Sequence, residues 1–129
     1  MYFIDTSVVV ALALGSEASS NAARRRLEQL HAEELVVDTI IATESFLVLR
    51  SKLGTDTARE AVEHLLRSYE YRMVSARVLH QALLGVDGLR FGDAAIVEHA
   101  RSAGAKLLTL DAKQAAALGP DGILLTKET

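Results

Sequence analysis

The sequence predicts an α/β fold, a single-domain three-layer α/β/α sandwich around a central parallel sheet. Short apolar runs alternate with longer amphipathic stretches, in the order strand, helices, strand, helices, the pattern of a parallel sheet covered on both faces. The first run, Tyr2-Phe3-Ile4, begins at the second residue, which places its strand at the centre of the sheet. Several runs stop on an aspartate, at Asp5, Asp38 and Asp111.

After Asp5, Thr6 and Ser7 are good helix starters, and an apolar helix runs to Leu14 and stops at Gly15. Ser16 and Glu17 open a second helix with Ala18, Ala22, Leu27 and Leu30 on one side and Arg24, Arg25, Arg26 and Glu28 mostly on the other. Leu35-Val36-Val37 is a strand ending on Asp38, with Asp38 as a cap for the helix from Thr39 to Gly54. Thr55 or Asp56 caps a further helix with Ala61, Val62, Leu65 and Leu66 inward and Arg59, Glu63, His64 and Arg67 outward. A short strand is expected around Arg72 to Val74, and Ser75 caps a helix reaching Leu84. Residues 85–92 read as loop, with Asp87 on its surface, and Asp93 starts a helix that closes at Gly104. Lys106 to Leu110 is a strand ending on Asp111. An Ala-rich helix breaks at Gly119-Pro120, and Ile123 to Leu125 is a last strand.

The 129 residues fit one domain, 1–129, and half of them are hydrophobic, enough for a core burying roughly two-thirds of the unfolded chain's surface. With 14 basic and 17 acidic residues, the net charge is −3. That is no general nucleic-acid coat protein, so any nucleic-acid contact needs a local basic patch or bound metal ions. Cysteine is absent, which excludes disulfides, thiolate metal sites and a cysteine nucleophile and suits a reducing, cytoplasmic setting. No secretory leader is evident, and the longest apolar run, Val8 to Leu14, falls well short of the roughly 20 residues that span a bilayer. No membrane association is expected.

Four acids stand in apolar or small-residue surroundings: Asp5, Glu44, Asp93 and Asp111. Taken singly, Asp5, Asp93 and Asp111 also read as helix caps or dipole partners. Glu44 also reads as one half of an ion pair with Arg50 or Arg90. In a parallel sheet, however, all four fall at the carboxyl edge of the strands, where open α/β sheets bind ligands. Carboxylates gathered there without equal numbers of bases repel one another unless a cation lies between them. Hard oxygen ligands select Mg²⁺ or Mn²⁺ over zinc. Thr109 offers a hydroxyl beside Asp111. His31, His64, His80 and His99 lack ligand spacing and read as solvated or rim positions. The glycines at 85, 88 and 92 form no phosphate-binding fingerprint, and Arg24-Arg25-Arg26 reads as a solvated helix face.

Ile4-Asp5-Thr6-Ser7, Glu44 after the second strand, Phe91-Gly92-Asp93-Ala94-Ala95-Ile96 and Leu108-Thr109-Leu110-Asp111 together resemble the PIN-domain ribonucleases, and among them the VapC-like toxins of toxin–antitoxin pairs. The resemblance covers nearly the whole chain. It implies a metal-dependent endoribonuclease with Asp5, Glu44, Asp93 and Asp111 as its acidic quartet and Thr6 and Thr109 as its hydroxyl positions. It also implies an RNA substrate, a cognate antitoxin that covers the acidic groove, and a homodimer. On this reading Asp5 and Asp93 hold the principal Mg²⁺ or Mn²⁺, Asp111 helps hold it or a second ion, and Glu44 orients the attacking water.

Two other phosphoryl-transfer classes fit less well. A receiver domain needs paired acids at the first strand, and a haloacid-dehalogenase-type phosphatase needs an acid where Ser7 stands. A catalytically weak module that keeps the fold and acts through protein contacts is the non-enzymatic alternative.

Overall fold

Strand β1 (Tyr2–Ile4) lies in the middle of a five-stranded, all-parallel sheet. On one side it is followed by β2 (Leu35–Asp38) and then β3 (Glu70–Arg72); on the other come β4 (Lys106–Thr109) and β5 (Gly122–Leu124). The structure is a computed structural model in which residues 1–15, 18–85 and 88–125 are described. Ser16, Glu17, Asp87 and the side chain of Ala18, for which the sequence carried expectations, lie outside the described residues.

Among the described residues, seven α-helices connect the strands: α1 (Thr6–Leu14), α2 (Ala18–Glu28), α3 (Thr39–Leu53), α4 (Thr55–Ser68), α5 (Ala76–Leu84), α6 (Phe91–Ser102) and α7 (Ala112–Leu118). They make the α/β/α sandwich the sequence predicts. Phe3, Ile4, Val36, Val37, Leu107 and Leu108 are buried, so the three central strands are covered on both faces. That is why they read as unbroken apolar runs rather than as alternating ones.

The strand-ending acids begin helices as their sequence context demands. Asp5 Oδ2 accepts from Ser7 N at 3.0 Å, and Asp38 Oδ1 accepts from Ile41 N at 2.8 Å. Asp111 Oδ1 accepts from Lys113 N at 2.9 Å and Gln114 N at 3.3 Å. Each satisfies a backbone donor that the helix itself leaves unpaired, worth about 1 kcal/mol. Gly15 ends α1 at φ 70°, a left-handed conformation that suits glycine.

Several expectations need correcting. The edge strand β3 covers Glu70–Arg72 rather than Arg72 to Val74, because pairing Val36 with Glu70 fixes its register and Val74 instead bonds the Thr39 hydroxyl. Likewise β5 ends at Leu124, paired with Thr109. The inward stripe of α2 runs through Ser20 and Ala23 rather than Ala22, with the Ser20 hydroxyl donating to Ala11 O at 2.5 Å. On α4 it is Ala58 and Leu65 that are buried, while Leu66 is exposed. Helix α6 begins at Phe91, so Gly92 and Asp93 sit inside its first turn.

Candidate active site

The register of the sheet sets the site. Phe3 opposite Leu107 and Ile4 opposite Leu108 put Asp5 beside Thr109, with the Asp5 amide donating to Leu108 O at 2.9 Å. The chain leaves β1 toward β2 and β3, then crosses to the other side for β4 and β5. The gap between β1 and β4 is therefore the switch point where open α/β sheets open a crevice.

A cavity of about 570 Å³ lies there, lined by Asp5, Thr6, Glu44, Arg90, Asp93 and Asp111, with Ser7 and an apolar wall of Val10, Leu47 and Val48. All four acids singled out in the sequence meet in it, and among the described residues Arg90 is the one basic side chain in its lining. Four different segments deliver them: the end of β1, the second turn of α3, the first turn of α6 and the cap of α7.

The acids are held differently. Asp5 is almost fully buried and heavily bonded: its Oδ2 also accepts from the Ser7 hydroxyl at 2.6 Å, and its Oδ1 accepts from Gln114 Nε2 at 3.0 Å. Glu44 Oε1 accepts from the Thr6 hydroxyl at 3.0 Å. Its carboxylate fills the space that a side chain at Gly92 would need, so the glycine of Phe91-Gly92-Asp93 makes room for it. Burial, offset in part by the Thr6 bond, and then the charges of Asp93, Asp5 and Asp38 push the Glu44 carboxyl above its ordinary range. Asp93 is pushed up as well, first by burial and then by Asp5 and Asp111, with Arg90 pulling the other way. Mutual repulsion of this kind marks a site short of positive charge.

Thr6 lines the cavity; Thr109 does not. It is fully buried, donating to Gln114 Oε1 at 2.7 Å and accepting from Asp111 N at 3.0 Å. His99 corrects another expectation. It is buried rather than on a rim, with Nδ1 2.7 Å from Asp38 Oδ2 and its ring packed edge-on to Phe3. Arg50 stacks over Phe46 instead of pairing with Glu44.

Sequence reasoning passed over Gln114, Ser7 and the Asp38–His99 pair. The spacing Asp111-x-x-Gln114 carried a usable signal, since an acid followed three residues later by Gln is a capping-box pattern. Nothing local could have paired Asp38 with His99.

Among the described residues, no three acidic or histidine side chains close on a single point as placed. The donor set nevertheless fits a hard divalent cation. Its ligands are all oxygens, its charges repel one another, and Mg²⁺ keeps several waters while touching only one or two carboxylates.

The fold and this cavity together define an open-sheet α/β protein with an acidic crevice at the carboxyl ends of its strands. The chain belongs to the PIN domain family, whose model matches residues 2–118. No curated protein sequence matches it significantly. Among solved structures, it is similar to Mycobacterium tuberculosis VapC20, described as a Sarcin-Ricin loop cleaving toxin (TM-score 0.81, 21% identity, 99% of this chain and 100% of that one). A toxin–antitoxin complex from Klebsiella pneumoniae (TM-score 0.76, 17% identity, 99% and 100%) and VapBC-1 from nontypeable Haemophilus influenzae (TM-score 0.66, 20% identity, 91% and 91%) share the same fold. Among the described residues no helix is long and apolar enough to cross a membrane.

Proposed function

We propose that this chain is a divalent-metal-dependent endoribonuclease, the toxin of a toxin–antitoxin pair, working in the cytoplasm as a single domain over residues 1–129. The observation that carries the reading is the convergence of Asp5, Glu44, Asp93 and Asp111 on one cavity where, among the described residues, Arg90 alone stands against them. Membership of the PIN domain family and the shared fold with toxins and toxin–antitoxin complexes support it.

Asp5, Asp93 and Asp111 would hold Mg²⁺ or Mn²⁺. Such an ion supplies Lewis-acid stabilisation of phosphoryl charge and a more acidic water. Glu44, with its raised affinity for protons, accepts the proton of the attacking water, and the Thr6 hydroxyl holds it in place. Arg90 is placed to bind a phosphate oxygen. The apolar wall of Val10, Leu47 and Val48 gives a base or a partner's side chain a surface to pack on. An antitoxin segment lying in this cavity would shut it, and a homodimer is the expected assembly.

The test is cleavage of RNA by the purified protein in Mn²⁺, compared with EDTA and with Asp5→Asn. Asparagine keeps the oxygen that caps α1, so the fold survives while activity falls by at least about 100-fold. Undiminished cleavage by D5N would refute the assignment. A protein that cuts nothing, yet binds a small partner through the same cavity, would favour the non-enzymatic reading.

A further inference from the structure

Gln114 is fully buried, and its side chain touches three parts of the site at once. Nε2 lies 3.0 Å from Asp5 Oδ1 and 3.3 Å from the Asp93 carbonyl, while Oε1 lies 2.7 Å from the Thr109 hydroxyl. A carboxylate and a carbonyl can only accept, so the nitrogen must face them and the oxygen must face the hydroxyl. The amide therefore has a single workable orientation. Every polar atom of the side chain is used.

The local reason is a displaced capping box. In the ordinary box, Gln reaches back to the amide of the capping residue. Here the Asp111 amide is taken by Thr109 Oγ1 at 3.0 Å. Gln114 is released to turn inward, toward the cavity wall rather than solvent.

The count of lone pairs on Asp5 gives the consequence. A carboxylate has two oxygens with two acceptor sites each. Among the described residues, Oδ2 takes Ser7 N and the Ser7 hydroxyl, while the Thr109 hydroxyl, 3.3 Å from Oδ2, gives its one proton to the nearer Gln114 Oε1 at 2.7 Å. Oδ1 takes Gln114 Nε2 alone, which leaves one site open. We infer that Gln114 is a positioning residue: its amide locks the Asp5 carboxylate so that a single Oδ1 lone pair is presented to the cation in the cavity. This rests on the reading of the cavity as a metal site.

The decisive experiment measures Mn²⁺ binding to the RNA-free protein by electron paramagnetic resonance, for the parent, Gln114→Met, Gln114→Leu and D5N. Methionine keeps the length and fills the space without hydrogen bonds. Leucine is close in volume, offers no hydrogen bond or charge, and serves if the methionine variant folds poorly. Both are expected to bind Mn²⁺ roughly 10–100-fold more weakly than the parent, the usual effect of losing a group that orients a ligand. Proton exchange of the Gln114 side-chain amide is followed by NMR in the parent and is expected to be slow. Folded variants that bind Mn²⁺ within twofold of the parent overturn the inference, as does fast amide exchange. If the parent takes up no Mn²⁺ at all, the inference fails along with the metal reading. Slow exchange in that same sample would trace the failure to the metal rather than to the Gln114–Asp5 bond.

Discussion

At Glu44 and Asp93 the site makes protonation of the carboxyl easier. Both bind protons more tightly folded than unfolded, so their contribution to stability is complete below the ordinary carboxylate range and is lost as pH rises through the raised values. In metal-free protein, Asp93→Asn and Glu44→Gln are therefore expected to raise stability at neutral pH, with the gain fading toward about pH 4. Denaturant titrations in EDTA between about pH 4 and pH 8 check this; a D93N protein less stable than the parent at neutral pH would contradict it. Ser7 and Gln114 surround Asp5 with donors, so this nearly buried carboxylate has hydrogen-bond partners even as its charge repels Glu44 and Asp93.

At the scale of elements, the site depends on how α3 and α6 meet. Asp38 caps α3 and also bonds His99 of α6, joining the two helices that carry Glu44 and Asp93. His99→Ala leaves a fully buried carboxylate short of a partner and should cost about 3 kcal/mol or more. A loss below about 1 kcal/mol in urea unfolding would show that the pair holds little. The sequence made much of this level legible. Apolar runs ending in acids marked β1, β2 and β4, and Gly15 and Ser75 marked helix ends where the structure has them. Glu44 stood out because a carboxylate among Ile40, Ile41, Phe46 and Leu47 needs a reason. The pairing of Asp38 with His99 spans 61 residues and left no local trace. Gln114 was hidden because a polar residue in a helix's first turn ordinarily faces water. The position of β3 was hidden because a three-residue edge strand takes its register from its neighbour.

At the scale of the whole molecule, the parallel sheet places every carboxyl end of β1, β2 and β4 on one rim, and a cation held by the acids gathered there would couple its binding to folding. A ligand that binds only the native state stabilises it by about 2.7 kcal/mol at a hundredfold excess over its Kd. Saturating Mn²⁺ should raise Tm by several degrees, and EDTA should remove the gain; D5N should show little of either. A parent whose Tm ignores Mn²⁺ would argue against the metal site.

The pairing of β1 with β4 also has a bearing on synthesis. Asp5 is made well before Thr109, which lies beside it, and Gln114, which holds it, 104 and 109 positions later. Until β4 and α7 emerge, the first strand has β2 for company but no wall on its other side, so the acidic cavity cannot exist on a nascent chain. Contacts this distant in sequence form late. On the proposed toxin reading, that order would keep each new molecule inactive until β4 and α7 have been made. A ribosome-bound chain stalled before Lys106 is accordingly expected to show no Mn²⁺ affinity.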